Sequence, residues 1–559
     1  MHGRTGRPGA GESSNRRRRA GAVIAAMLTC AALAACGGSS GSGSKSSSAS
    51  SASKGSSVSN ASTSGGSTGG TLTMQFSPPV SLNPALEGTS QSDIDFGALD
   101  YDSLIYQLGD GTYVGDLATK WAYAPNSKNE VFNLTLRSGV HFSDGSLMTP
   151  QGVISSLNYF KSAHGPQSSY LATMTSAKAS GANGVQLKFS APEPDLPFLF
   201  SQYQDVGQII GPKGVASPNS LTTTSDGAGP YVLSPTQTVA NSSYVYTENP
   251  HYWNPSAVKY KTVIVKVIPD PQTAVSSAQS GQVQALTSLP GQVYNAAKGD
   301  GLQVFAQPFA IASLILMGRS EPGSPLAKLP VRQAINMAVN RTALSKGLGG
   351  YGSVPTAESA LPGAAGYDPA VANKYAYNPA AAKKLLASAG YGSGFTLPVL
   401  DTLALDPNGD IGAELKSELA PIGINLQITE TPSPAQFVPA SLSKKYPAVI
   451  WPLSQNGPGF PYAVQFALAP FTNVFGSTDP QLNQLMGAAG ALPASSSGPA
   501  YAKVQDFLVD NAWYVPLFSL PSVFAINHSV TNVQPPSLQN TTIDPVAPDP
   551  SLSWRPSGS

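Results

Sequence analysis

The chain reads as an α/β protein. Three observations carry that expectation: apolar runs of strand length, helical apolar stripes opened by a capping residue and a proline, and no internal period of the kind a repeat array would show. Leu72, Met74 and Phe76 alternate in TLTMQF, as do Phe132, Leu134 and Leu136 in FNLTLR, so each run is expected to be a strand with one buried face. Thr262–Ile268 is largely apolar on both faces, as an interior strand would be. It stops at Pro269-Asp270-Pro271, where Asp270 can cap a helix that takes Pro271 in its first turn and should end near Gly281.

Further helices follow the same grammar. Thr149-Pro150 opens one bearing Val153, Leu157 and Phe160. Pro330 opens another with Val331, Ala334, Ile335, Ala338 and Val339 at i, i+3, i+4, i+7 and i+8. Asn378-Pro379 opens a third with Ala382, Leu385, Leu386 and Ala389, stopped by Gly390. Tyr501, Val504 and Leu508 suggest a helix leading into a strand at 513–518. All these stripes are expected to face the core.

The N-terminus carries an address. Arg16 to Arg19 precede an apolar stretch from Ala20 to Ala35. At about 16 residues this is short of the roughly 20 needed to span a bilayer as a helix, and its basic head and small residues read as a secretory signal. Leu33-Ala34-Ala35-Cys36 resembles the bacterial lipobox, which implies that Cys36 becomes the lipidated first residue of the mature chain. One acyl chain anchors only marginally, and the diacylglyceryl group that the resemblance implies satisfies the need for a second. Cys30 lies inside the signal, so the mature chain is expected to have no disulfide and no thiol chemistry. From Gly37 to Gly70 the sequence is almost wholly Gly, Ser, Ala and Thr, which predicts a flexible tether with an end-to-end distance of about 30 Å.

Without residues 1–35 the chain has 26 Lys+Arg against 30 Asp+Glu, a net charge of −4. A mildly acidic body without a basic cluster argues against nucleic acid as a partner. About 490 residues beyond the tether suffice for two or three compact domains.

Catalytic signatures fail on context. Two G-x-S-x-G matches, Gly37 to Gly41 and Gly65 to Gly69, lie in the tether, where no strand–turn–helix can expose a serine. The S-x-x-K at Ser441 to Lys444 has no K-T-G partner, and the one at Ser51 to Lys54 is again in the tether. Gly347 to Gly352 fits G-x-G-x-x-G but follows a helix, so a helix stop and turn is expected there. The five histidines, His2, His141, His164, His251 and His528, have no metal-ligand spacing. No enzymatic activity, metal or cofactor is expected.

Leu104 to Phe160 is distinctive. Gly111, Asp116-Leu117-Ala118, Trp121, Phe132, Leu136-Arg137, Gly139-Val140, Phe142, Asp144-Gly145 and Val153 fall on a recurring pattern. In order along the chain come Gly69 to Thr73, Ser81 to Pro84, Gly229-Pro230-Tyr231, Asn249 to Trp253, Val331 to Ile335 with Arg341, Ala382 to Gly390, and Ile422-Gly423-Ile424. Together these resemble the family 5 extracellular solute-binding proteins, the peptide/nickel class that feeds ABC importers. The resemblance covers nearly the whole mature chain. Most of these residues are read as structural: Asp144-Gly145 suits a hairpin, and Arg137 is expected to pair with an acidic neighbour.

The resemblance implies a two-lobed periplasmic-binding-protein-like fold of cluster C type, with an extra subdomain inserted in the first lobe. The first lobe would take residues near 71–105, 225–310 and 516–559, the insertion 106–224 and the second lobe 311–515. A peptide or other small solute would lie in the cleft, a membrane permease and its ATPase would receive it, and the protein would be an extracytoplasmic monomer held to the membrane only through its lipid. A binding protein that presents its ligand to a membrane sensor and an extracytoplasmic hydrolase are the rival readings.

The cleft segment implied by the resemblance is Val449 to Gly457, with Trp451, Ser454, Gln455 and Asn456 as binding residues. In peptide-binding relatives an aspartate follows the tryptophan and pairs with the ligand's amine. Here that position falls at about Ser454, in an uncharged stretch. A neutral segment cannot neutralise a buried ammonium, so free-amine peptides are expected to bind poorly unless another acid, such as Asp95 or Asp401, supplies the charge. Phe76 and Ser77, at the end of the opening strand, are expected on the facing wall.

Overall fold

TLTMQF lies in the strand Gly70–Phe76, with Leu72, Met74 and Phe76 fully buried. The computed structural model describes residues 70–558 apart from 88–90, 300, 404–408, 433, 455–471 and 536–543. Cys36, the tether, Gln455 and Asn456 therefore lie outside the described residues. None of the described helices is long and apolar enough to cross a membrane.

The opening strand belongs to a ten-stranded mixed sheet. Its order is Ile424–Thr431, Phe395–Thr402, Ala448–Ser454, Leu302–Leu316, Tyr514–Asn527, Ala285–Pro290, Gly70–Phe76, Tyr260–Val267, Ser243–Glu248 and Tyr231–Leu233. Gly70–Phe76 pairs in parallel with Tyr260–Val267 on one side and Ala285–Pro290 on the other. The doubly apolar run is thus an interior strand, as its pattern requires.

Two strands pass through both lobes. Leu302–Leu316 has 15 residues and Tyr514–Asn527 has 14, two to three times the usual length. They pair with each other almost throughout. Toward one end Tyr514–Asn527 also pairs with Ala285–Pro290, and toward the other Leu302–Leu316 pairs with Ala448–Ser454. Midway along the pair, Pro308 faces Pro521 and the register slips between Pro308 and Ala310. Neither proline has an N–H to give to the ladder, so this rung is the weakest and the easiest to bend.

The first crossing strand runs straight through Pro308, a residue that in sequence would break such a run. Similarly, the final strand was expected to end at Phe518 but continues through Pro521 to Asn527. Each crossing strand has the other as a long partner, which supplies the pairing that proline weakens locally.

A separate four-stranded antiparallel sheet holds Ala118–Tyr123, Val131–Leu136, Gly184–Phe189 and Met174–Ser180, in that order. The helix Pro150–Ser162 covers it, and Phe132, Leu134, Leu157, Phe160 and Leu187 form its buried centre.

The expected caps are in place. Thr149 Oγ1 accepts from Gly152 N at 3.1 Å, Asp270 Oδ1 from Thr273 N at 2.7 Å, and Asn378 Oδ1 from Ala381 N at 2.9 Å. Each satisfies a donor that the first helical turn leaves free, an effect of about 1 kcal/mol. The helix Arg341–Leu348 stops into a turn where Gly350 and Gly352 take φ of 74° and 81°. The G-x-G-x-x-G match there is a helix stop, not a nucleotide loop.

Candidate functional site

The strands bearing the expected site residues converge. Gly70–Phe76 and Ala448–Ser454 lie on opposite sides of the crossing pair, and the C-terminal ends of both point toward the Pro308–Pro521 rung. In an open α/β sheet this is where ligands gather. The individual side chains differ in fate. Phe76 is 0 % exposed and meets Phe96 edge-on with centroids 5.0 Å apart, so its ring belongs to the core of the first lobe and offers no wall to a cleft. Ser77, just beyond it, is exposed. Trp451 is half-buried with its ring 4.5 Å from that of Phe437, on the cluster that holds Ala360, Leu361 and Tyr501. Ser454 closes its strand opposite Ala310. Asp95 and Asp401 are buried inside the two lobes, at 3 % and 0 % exposure.

A cavity of about 410 Å³ opens between the two halves. Gln107, Gly111, Tyr113, Pro194, Asp195, Pro197 and Phe198 line one side, and Gly363 to Ala365 with Ser495, Gly498 and Pro499 line the other. Each wall is built locally. Gln202 clamps Gln107 from both sides, accepting from its N–H at 2.9 Å and donating to its carbonyl at 2.8 Å. The turn that presents Tyr113 needs a left-handed residue, and Gly111 supplies it at φ 87°. Tyr123 holds the opposite flank: its hydroxyl donates to Glu193 O at 2.5 Å and accepts from Leu196 N at 3.2 Å.

Asp195 stands in this wall, 9 % exposed. Its backbone carbonyl accepts from Phe198 N and Leu199 N, starting the short helix Leu196–Leu199, while its side chain makes no capping bond. Burial, and then the charge of Glu193, push its pKa up to about 7. Glu193 itself rises to about 7 through burial, offset by the Thr173 hydroxyl that donates to it.

The two walls are tied together beside the cavity. Asn129 Nδ2 donates to Gly490 O at 3.1 Å and Leu492 O at 3.2 Å, at the end of the helix Pro480–Gly490. Asn129 is left-handed at φ 64°, in a turn where Asn126 and Lys128 are also left-handed. Its carbonyl accepts from Glu193 N at 3.1 Å, which joins the tie to the segment that carries Asp195.

Behind Gln202 three carboxylates, Asp102, Asp116 and Asp544, border a smaller cavity of about 10 Å³, room for about one water. Burial pushes all three pKa values up, that of Asp544 to about 8. Asp102 accepts from Trp253 Nε1 at 2.6 Å. Arg137 does not form the expected ion pair: its Nε donates to the backbone carbonyl of Asp116 at 2.9 Å, and its guanidinium lies 3.9 Å from the centre of the Trp253 ring. The indole face takes the cation where a carboxylate was expected.

Comparison with known proteins agrees with this architecture. The model of the bacterial extracellular solute-binding proteins, family 5 (middle region), matches residues 112–473. The glutathione-binding protein of Salmonella paratyphi A is 25% identical over 313 residues, which span 55% of this chain and 59% of that protein. The dipeptide-binding protein of Pseudomonas aeruginosa is 24% identical over 383 residues, 63% of this chain and 70% of the other. Among solved structures, the A. tumefaciens binding protein AgaA in complex with agropinic acid superposes with a TM-score of 0.74 at 21% identity, covering 87% of this chain and 99% of that one. The Helicobacter pylori periplasmic binding protein DppA, in complex with a peptide, gives 0.73 at 20% identity, covering 87% and 98%. These neighbours carry the same two-lobed α/β fold. With the family match extending over more than half of its residues, the chain belongs to the bacterial extracellular solute-binding proteins of family 5.

Proposed function

We propose that this protein captures a peptide or peptide-like small solute between its lobes and delivers it to an ABC permease, without chemical change. The observation that carries this reading is the cavity of about 410 Å³ walled from two distant stretches of the chain, together with a sheet whose two longest strands meet at a proline–proline rung. The volume is in the range of small-molecule sites, and that rung gives the lobes a place to bend. Names of relatives and neighbours support the ligand class, since they name glutathione, dipeptides or agropinic acid. Capture follows a population shift: a solute that touches both walls favours the closed arrangement by its extra contacts there.

On this reading the first lobe comprises 71–105, 225–310 and 516–559, the insertion 106–224 and the second lobe 311–515. Trp451, Ser454, Gln455, Asn456 and Ser77 remain proposed binding residues, and Cys36 the lipidated anchor. Two measurements test the reading together: mass spectrometry of the small molecule that copurifies, and small-angle scattering with and without it. A bound solute and a smaller radius of gyration in its presence are expected. A profile that no solute changes, or turnover of the solute, would overturn it.

A further inference from the structure

The expected cleft segment is neutral, from Ser454 through Asn456, and the stretch from Gln455 to Phe471 has no charged residue. The opposite wall is not neutral. Asp195 lines the cavity, is nine-tenths buried, and its carboxylate accepts no hydrogen bond and faces no basic side chain among the described residues. A buried carboxylate without partners is costly unless it is protonated or meets a cation. Its neighbour Glu193 is itself an acid, and its charge adds to the cost. Tyr123 and the three prolines Pro192, Pro194 and Pro197 fix the backbone on either side, so the acid is held in place rather than free to turn to solvent.

We infer that Asp195 is the anionic anchor for a cationic group of the captured solute, an ammonium or guanidinium carried on a compact, largely apolar body. This rests on the proposed solute capture and names the chemistry that it selects. The rest of the wall fits such a body: Tyr113, Phe198, Ala364 and Pro499 offer apolar surface, and Gln107 and Ser495 are its neutral polar side chains. An organic cation suits the wall better than a metal ion, because no group of three His, Cys, Asp or Glu side chains with metal-binding geometry occurs among the described residues. The amine is therefore met from the side opposite to the tryptophan-bearing strand. That position restores affinity for free amines, which the neutral Ser454–Asn456 segment argues against.

Three probes that share one body test this by isothermal titration of the purified full-length protein: Ala-Phe amide (cationic), N-acetyl-Ala-Phe amide (neutral) and N-acetyl-Ala-Phe (anionic). The cationic probe is expected to bind at least tenfold more tightly than the other two. Asp195→Asn, close to isosteric, should erase that preference by weakening the cationic probe at least tenfold. Equal affinity for cationic and neutral probes in the native protein, absence of binding by the cationic probe, or a preference that survives Asp195→Asn each overturns the inference. The native-protein arm decides even if the variant folds poorly. If neutral solutes bind and compact the protein while the charge preference is missing, the inference fails alone. If no solute of any charge binds, solute capture fails with it.

Discussion

Asn129 offers a direct handle on closure. Its amide donates to two carbonyls across the divide, Gly490 O at 3.1 Å and Leu492 O at 3.2 Å. In the open arrangement water replaces both, so only the net value of each bond counts, about 0.5–1.5 kcal/mol. Losing the pair should therefore weaken closure by about 1–3 kcal/mol, a roughly 5- to 160-fold drop in the closed-to-open ratio. If the open state dominates without ligand, affinity falls by the same factor. The replacement must tolerate φ of 64°, which excludes alanine and favours glycine. Asn129→Gly removes the amide and keeps the turn. Asn126→Gly is the matched control: Asn126 is also left-handed, at φ 59°, but exposed and without a cross-lobe bond, so it shares the unfolded-state entropy of a new glycine. Isothermal titration with the copurified solute should show weaker binding for Asn129→Gly and native binding for Asn126→Gly. Equal affinities for the two variants would refute the reasoning.

Three further outcomes follow from the described packing. Arg341, 7 % exposed, donates to Thr356 O, Pro516 O, Asn336 O and Asn336 Oδ1 at 2.7–3.0 Å, and a lysine cannot fork to reach them, so Arg341→Lys should cost about 3 kcal/mol in urea denaturation. Asp102, Asp116 and Asp544 have folded pKa values raised by burial, that of Asp544 to about 8, so the native state holds more protons than the unfolded state above about pH 4. Their contribution is then complete below that pH and is lost as pH rises through the folded values, about 7 for Asp102 and about 8 for Asp544, even with Arg137 nearby. The Tm should fall between pH 5 and pH 8.5, and a rise over that window would contradict the assignment. Finally, Cys36→Ser should move the protein from the membrane fraction to the soluble one, as read by fractionation and intact mass.

The elements that sequence disclosed best are those with local causes. Thr149, Asp270 and Asn378 announce helix starts because a cap needs only a few consecutive residues. The alternation in TLTMQF reports the burial of one sheet face, and the doubly apolar Thr262–Ile268 reports an interior position. Prolines obscure strands: a 15-residue strand runs through Pro308 because the cost of the proline is local, while the pairing that offsets it comes from a strand some 200 residues later. The site was harder to read. Phe76 was assigned to a wall on strand position alone, and only packing against Phe96 shows that its ring turns inward. Asp195 gave no signal, sitting between prolines in a stretch without periodicity. Its importance depends on which residues come to face it from positions 363–365 and 495–499. The same holds for Asp102, Asp116 and Asp544, which are gathered from three separate stretches.

Tyr514–Asn527 sits between Leu302–Leu316 and Ala285–Pro290, at the middle of the great sheet. The strand that joins everything is thus made after every other strand of that sheet. Until it emerges, two half-sheets wait with bare edges, each a template for pairing with a stranger. Trimming from the carboxyl end therefore does not shorten a tail; it withdraws the keystone, and nested deletions past Asn527 should lose cooperative folding at one step.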